Sequence, residues 1–260
     1  MRRMLSTDIL AFYRNLCSQT LTVVDLETSG HKPPRSRAIE VSVLNASLKD
    51  GILNQETYLI NPGVNLPPII TNITGITQEM LEDAPPPEEV WAKCLPLLEQ
   101  GVLTAHNISF DYPFIRSEYA RLGIPFYRSK SEQFCTVKFS RLMLSELPSR
   151  SLPNLVKHFQ FPVGESHRAE ADTMACWLLA EMLLKEIANE DDEAVLARIG
   201  QQLLSISDAV KIIGGSQKTA RARLDAAGVE PYVSQRTGTH LFRRADVERV
   251  YWQKHQLSLP

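Results

Sequence analysis

The sequence predicts an α/β fold, a mixed sheet flanked by helices, followed by a small basic C-terminal module. Three observations carry this expectation. Between residues 21 and 60, three runs rich in β-branched residues are separated by turn residues, and Lys49-Asp50-Gly51 reads as a hairpin turn. Between 88 and 188, helical periodicity surrounds one short apolar run, Val102–Ala105. From residue 205 onward the charge changes sign. Nine Lys/Arg against five Asp/Glu leave this stretch at +4, whereas 19 against 25 leave the remainder at −6.

In chain order, residues 1–18 carry Ile9, Leu10, Phe12, Tyr13 and Leu16 at rough helical spacing, which predicts a short amphipathic helix. Leu21–Glu27 is the first strand, stopped by Thr28-Ser29-Gly30. Ile39–Leu48 and Ile52–Ile60 are the next two, and Asn61-Pro62-Gly63 ends the set. Residues 64–87 are proline-rich, predicting irregular chain with one short helix at Thr77–Leu81. Glu88–Glu99 reads as helical, although Pro96 weakens its second half. Ser109–Leu122 is a helix with Ser109 as N-cap and Gly123 beyond its end. Helices at 132–147, 151–159 and Ala169–Ala188 complete a body expected to occupy residues 1–195. The acidic cluster Glu190–Glu193 marks a boundary, and a second domain is expected at 203–260.

With 43% hydrophobic and 22% charged residues, the composition is that of an ordinary globular chain. No apolar run is long enough to span a bilayer, and no signal-like apolar core follows Met1-Arg2-Arg3. A cytoplasmic protein without a membrane partner is expected. Cys17, Cys94, Cys135 and Cys176 lie far apart without a CxxC pair, which argues for free thiols rather than a zinc knuckle or a disulfide framework. The charge split suggests cation binding in the body and polyanion contact in the tail.

Three short motifs carry the chemistry. Asp25-Leu26-Glu27 ends a strand, where residues two apart project to one face, so two carboxylates converge and need a cation or a proton to share. Taken alone, they would equally suit a solvated strand end. In His106-Asn107-Ile108-Ser109-Phe110-Asp111, a strand ends and Asp111 falls in the first turn of a helix, where it could also serve only the helix dipole. In His167-Arg168-Ala169-Glu170-Ala171-Asp172, a five-residue step within a helix would turn the two side chains about 140° apart. They converge if His167 sits in the loop after Gly164 and Asp172 lies inside the helix.

The order and spacing of these motifs, from about Leu21 to Leu184, resemble the histidine subtype of the DEDD exonuclease superfamily. Its members include the proofreading epsilon subunit of bacterial DNA polymerase III and ribonuclease T. Arg168, standing four before Asp172, excludes the tyrosine subtype. The resemblance implies a ribonuclease H-like sheet and 3′→5′ removal of nucleoside 5′-monophosphates from single-stranded ends, DNA being the expected substrate and RNA the alternative. It implies Asp25, Glu27, Asp111 and Asp172 as ligands of two divalent cations, Mg²⁺ or Mn²⁺, hard ions suited to carboxylate oxygen. It implies His167 as general base, an imidazole titrating near about 6.5 in water. Thr28, His106, Asn107 and Phe110 are expected at the terminal nucleotide, with Phe110 also a candidate for the core. A polymerase or another replication or repair protein is the expected partner. One departure is Thr74, in Ile73-Thr74-Gly75-Ile76-Thr77, where a substrate-facing histidine often stands in the superfamily.

In the tail, Ile206–Ile213 and Gln217–Ala227 read as two helices about Gly214-Gly215-Ser216. Tyr232–Phe242 reads as a hairpin turning near Thr237-Gly238, and Ala245–Gln253 as a last helix. This resembles a winged helix-turn-helix of the MerR or excisionase type. It implies duplex DNA contact through Lys218, Arg221, Arg223 and Arg236. A protein-docking domain and an inactive nuclease-like body on a DNA-binding regulator are the alternatives.

Overall fold

A computed structural model of the chain describes residues 4–164, 167–235 and 237–256. Helix α1 (Ser6–Leu16) buries Ile9, Leu10 and Leu16. Strands β1 (Leu21–Thr28), β2 (Ala38–Ser47) and β3 (Gly51–Leu59) follow, then the short helices α2 (Pro68–Thr74) and α3 (Gln78–Glu82). Next come α4 (Pro87–Leu98), β4 (Val102–Ala105), α5 (Ile108–Arg121), β5 (Gln133–Cys135), α6 (Thr136–Met143), α7 (Leu152–Phe159) and α8 (Ala169–Asn189). The tail holds α9 (Asp192–Gly200), β6 (Leu203–Ser205), α10 (Ile206–Ile213), α11 (Gln217–Ala226), β7 (Tyr232–Val233), β8 (His240–Arg243) and α12 (Arg244–Gln256). No helix among the described residues is long and apolar enough to cross a membrane.

The chain divides into two compact units. One comprises Asn15–Arg141 and Glu146–Glu186, the other Met1–Arg14, Leu142–Ser145 and Ile187–Pro260. In the first, five strands run in the order β3-β2-β1-β4-β5. The hairpin-connected pairs β1–β2 and β2–β3 are antiparallel, and β1–β4 and β4–β5 are parallel. Every residue of β2 is buried, as expected of a strand covered on both faces. Its polar side chains are therefore hydrogen-bonded. Asn45 Nδ2 donates to Thr22 Oγ1 at 2.9 Å, and Ser42 Oγ accepts from Thr57 Oγ1 at 3.0 Å. One face of β1, with Val24 and Leu26, packs on Trp91, Phe114, Ile115 and Tyr119 from α4 and α5. That leaves the Asp25 and Glu27 side of the strand for the site.

The expected mixed sheet flanked by helices is present, with four differences. The proline-rich stretch contains α2, because Pro68 sits at a helix start where its missing N–H costs nothing, and Gly75 ends the helix at φ 71°. The helix expected at 132–147 begins only at Thr136, after the three-residue strand β5, which is too short for its period to show. The same brevity concealed β6. The fourth is the additional helix α9, which the acidic cluster opens: Glu190 and Asp191 form the short break after α8, and Asp192 and Glu193 complement the α9 dipole.

The second unit has a sheet of order β6-β8-β7 and a core of Leu204, Ile212, Ile213, Leu224, Phe242, Val247 and Val250. Ser205 and Ser216 cap α10 and α11 by accepting from Asp208 and Thr219 backbone N–H groups. Between the two helices, Gly214 and Gly215 have φ of 81° and 87°, a conformation that favours glycine. The start of the chain joins this unit. Ser6 donates through its N–H (2.8 Å) and its Oγ (2.9 Å) to Glu248 Oε1, Arg244 donates to the Met4 carbonyl, and Leu5 packs on the core.

Candidate active site

Asp25 and Glu27 lie half-buried at the end of β1, paired across the ladder with Ser42 and Glu40. Directly paired residues share a face, so Glu40 stands on the same side as the two acids. Asp111 comes from the first turn of α5 and is 3% exposed. Its carboxylate accepts from the Leu26 backbone N–H, which holds it against β1. The helix begins one residue earlier than expected. Asn107, at φ 91°, is the N-cap, and Ser109 donates to Asn107 Oδ1 at 2.6 Å instead of capping. Asp172 lies inside α8 and His167 in the loop before it, at φ 67°. The His167 backbone N–H donates to Asp172 Oδ2 at 3.1 Å. Ligand atoms of Glu27, His167 and Asp172 all lie within 4.8 Å of one another.

The electrostatics of this cluster are unfavourable for the protein alone. Burial, then the charges of Asp111, Asp172 and Glu40, push the Asp25 carboxyl well above the ordinary carboxylate range. Burial, then Asp25, Asp172 and Glu40, push Glu27 up to about 9, against a smaller opposing effect of Arg168. Burial pushes Asp111 up to about 8, despite hydrogen bonds from its own N–H and that of Leu26. Crowded oxygen donors that cannot all ionise beside one another suit a hard divalent cation, which would restore the ionised form of each.

Two acids that the motifs did not single out position this site. Glu40, 1% exposed, accepts from Arg168 Nε (3.2 Å), Arg168 Nη2 (2.7 Å) and the Ala169 N–H (2.9 Å), tying the start of α8 to β2 beside Glu27. Glu118, 2% exposed, binds Arg37 Nε and Nη2 at 2.9 and 2.8 Å, fixing the chain that follows β1. The available signal was a charged residue inside an otherwise apolar strand, Ala38-Ile39-Glu40-Val41. Breaking a buried pair by removing one partner costs about 3–5 kcal/mol. Arg168 is 46% exposed and rehydrates on release, so Glu40→Ala should cost about 2–3 kcal/mol. It should also lower turnover roughly tenfold, the size of a modest misplacement, because the His167 loop loses its anchor. Glu40→Gln, which keeps an acceptor for Ala169, should recover part of both. Denaturant unfolding and initial rates check this, and an unchanged Glu40→Ala would refute the anchoring role.

A family model described as exonuclease, of the RNase T type, matches residues 22–180, the span holding all three motifs. The chain belongs to the RNase T exonuclease family. Among curated relatives, the PolC-type DNA polymerase III of Clostridium perfringens is 30% identical over 191 residues, covering 73% of this chain. That of Caldanaerobacter subterraneus subsp. tengcongensis is 32% identical over 163 residues, covering 63%. The matched region spans only 13% and 11% of the length of those polymerases. Solved structures share the fold. Escherichia coli exonuclease I in complex with a dA16 oligonucleotide superposes with a TM-score of 0.58 at 19% identity, covering 70% of this chain and 43% of that one. The nuclease domain of 3′hExo, described as a DEDDh family member bound to rAMP, superposes at 0.54 with 16% identity, covering 65% and 92%.

The remaining candidate residues of this RNase T family chain fare unevenly. His106 is committed within the protein. Its Nε2–H donates to the Arg150 carbonyl at 2.9 Å, and its Nδ1 pairs with Thr136 Oγ1 at 2.9 Å. A carbonyl only accepts, so the neutral ring takes the Thr136 proton at Nδ1, and burial pushes its pKa down to about 4. Both ring nitrogens therefore have partners within the protein. The Thr28 hydroxyl is buried and donates to the Gly30 carbonyl at 2.7 Å. Phe110 packs on the core, its ring 5.2 Å from that of Phe114. Asn107 is exposed. Thr74 is buried and donates to the Ile70 carbonyl, closing α2 rather than facing solvent. The cysteines form no disulfide among the described residues, Cys94 and Cys176 being buried and Cys17 and Cys135 partly so. In the tail, Lys218 is exposed. Arg221 pairs with Asp225 at 2.8 Å, and Arg223 donates to the Ile213 carbonyl at 3.4 Å. Arg236 lies outside the described residues.

Proposed function

We propose that this protein is a divalent-metal-dependent 3′→5′ exonuclease that releases nucleoside 5′-monophosphates from single-stranded ends, DNA being its substrate. The observation that carries the reading is the meeting of Glu27, Asp172 and His167 within 4.8 Å, beside Asp25 and Asp111 and in a chain of exonuclease family. Asp25, Glu27, Asp111 and Asp172 would hold the cations, Mg²⁺ or Mn²⁺. Bound there, such ions supply charge neutralisation at the scissile phosphate and a more acidic water. His167, exposed beside them, takes the proton of the attacking water. The hydrogen bond from its backbone N–H to Asp172 supports this role by holding the residue beside that carboxylate. Arg168, held by Glu40, keeps that loop in register with β1.

The preference for DNA is supported by kinship to polymerases named as DNA polymerase III, and the same kinship supports a polymerase or repair partner in the cytoplasm. The C-terminal residues, 203–260, are read as a winged helix-turn-helix that binds duplex DNA. The order α10, glycine turn, α11, β7–β8 hairpin supports this reading, and Lys218 is an exposed cation on α11. Lys218→Glu should weaken duplex binding and reduce its salt slope by about one without changing single-strand hydrolysis. The whole reading is tested by digesting 5′-labelled single-stranded DNA, duplex DNA and RNA with Mn²⁺ or EDTA, each with the 3′ end free or blocked. Mononucleotide release only with metal and a free 3′ end supports it. Absence of release from all three substrates ends it.

A further inference from the structure

The acidic site repels the strand it would cut, since bound cations neutralise only the phosphate they touch, while the neighbouring phosphates still face a body of charge −6. The loop joining β1 to β2, residues 29–37, carries the opposite charge beside the site. It reads Ser-Gly-His-Lys-Pro-Pro-Arg-Ser-Arg and contains no acid. It is also fixed at several points. The Ser29 N–H donates to the Arg37 carbonyl at 2.9 Å and the Ser36 N–H to the Lys32 carbonyl at 3.0 Å. Arg37 N–H donates to Ser29 Oγ at 2.9 Å. Arg121 donates to the Pro34 carbonyl at 2.6 Å, and Arg37 is consumed by Glu118. Lys32 and Arg35 are exposed, and among the described residues neither has an ion pair or a side-chain hydrogen bond.

Their distance from the site is bounded by the chain itself. Thr28 and Ala38 are paired at the end of the β1–β2 ladder, next to Glu27 and Glu40. Lys32 follows Thr28 by four residues and Arg35 precedes Ala38 by three. Their Cα atoms thus lie at most about 14 Å and 11 Å from the ladder end. A stacked strand advances about 3.4 Å per phosphate, so both cations are within about four phosphates of the reacting end. We propose that Lys32 and Arg35 form a rail for the internal phosphates of a nucleic-acid strand, holding it while its 3′ terminus enters the acidic site. This rests on the nuclease reading and adds the element that binds a long strand rather than a single nucleotide.

The experiment compares the parental protein, Lys32→Ala/Arg35→Ala and Lys32→Arg/Arg35→Lys with Mn²⁺ across a NaCl series. The substrates are a 5′-labelled thymidine 20-mer and the small p-nitrophenyl ester of thymidine 5′-monophosphate. The double alanine variant should raise KM for the 20-mer roughly tenfold, as expected for two lost phosphate contacts. It should also flatten the log–log salt dependence by about 1.4, at about 0.7 per phosphate on a single strand. Hydrolysis of the ester should be unchanged, and the charge-conserving swap should restore the parental slope. Equal losses on both substrates would mean that the loop only supports the site, and an unchanged KM and slope would mean that it touches no phosphate. Either overturns the proposal. If the parental protein cleaves neither substrate, the nuclease reading fails, and anisotropy of the labelled 20-mer still reports whether the two cations bind it.

Discussion

Replacing Asp25 or Asp172 with asparagine should reduce metal-dependent cleavage to background, a loss on the order of 10⁴ or more, while making the metal-free protein more stable. The two effects have one cause. Asp25, Glu27 and Asp111 are held above the ordinary carboxylate range by burial and by one another, so deleting one charge relieves repulsion on the others. Relief of about 1 kcal/mol raises the melting midpoint of a body this size by about 2–4 °C. Carboxyls that hold their protons more tightly when folded contribute stability below pH about 4, and that contribution disappears as pH rises through about 8 to 9. The parental protein in EDTA should therefore lose stability across that window. Mn²⁺, by binding only the folded site, should raise its midpoint and flatten the loss. The asparagine variants should show little Mn²⁺ shift. Parental cleavage by both variants, together with an undiminished Mn²⁺ shift, would exclude these acids as ligands.

His167→Ala should behave differently. Removing a general base lowers turnover by about two to four orders of magnitude. The carboxylates remain, so the Mn²⁺-induced rise in melting midpoint and the KM for an oligonucleotide should stay near parental values. A fall in turnover accompanied by loss of the Mn²⁺ shift would instead place the imidazole among the ligands, an arrangement that the 4.8 Å grouping with Glu27 and Asp172 also permits. Rates and melting curves on the same preparation separate the two roles.

What could be read in advance follows from the range of each interaction. Asp25 and Glu27 share a face because strand side chains alternate, and that needed only two-residue spacing. The separation of His167 into a loop and Asp172 into a helix followed from the angle of a five-residue step. The charge of Glu40 inside an apolar strand was a visible signal, but its role was not legible, because its partner Arg168 lies 128 residues away. Nor was Glu118, whose partner Arg37 is 81 residues away. The partners of His106 were not legible for the same reason. Its position beside the second motif suggested substrate, whereas its ring serves Thr136 and Arg150, 30 and 44 residues on. In the tail, the helix spacing was visible, and Arg221 pairs with Asp225, an i,i+4 contact of the kind that helical spacing permits.

The clasp between the first residues and the last helix has a kinetic consequence. Ser6 and Glu248 are 242 positions apart. During synthesis at about 5–20 residues per second, the segment holding Met4, Leu5 and Ser6 waits roughly ten to fifty seconds for its docking surface to emerge. The intervening sheet can assemble meanwhile from contacts already made. Completion of the second unit is therefore a late event that closes a very long loop, and ribosome-bound chains halted before residue 244 should leave their amino-terminal helix open to protease after the sheet has become resistant.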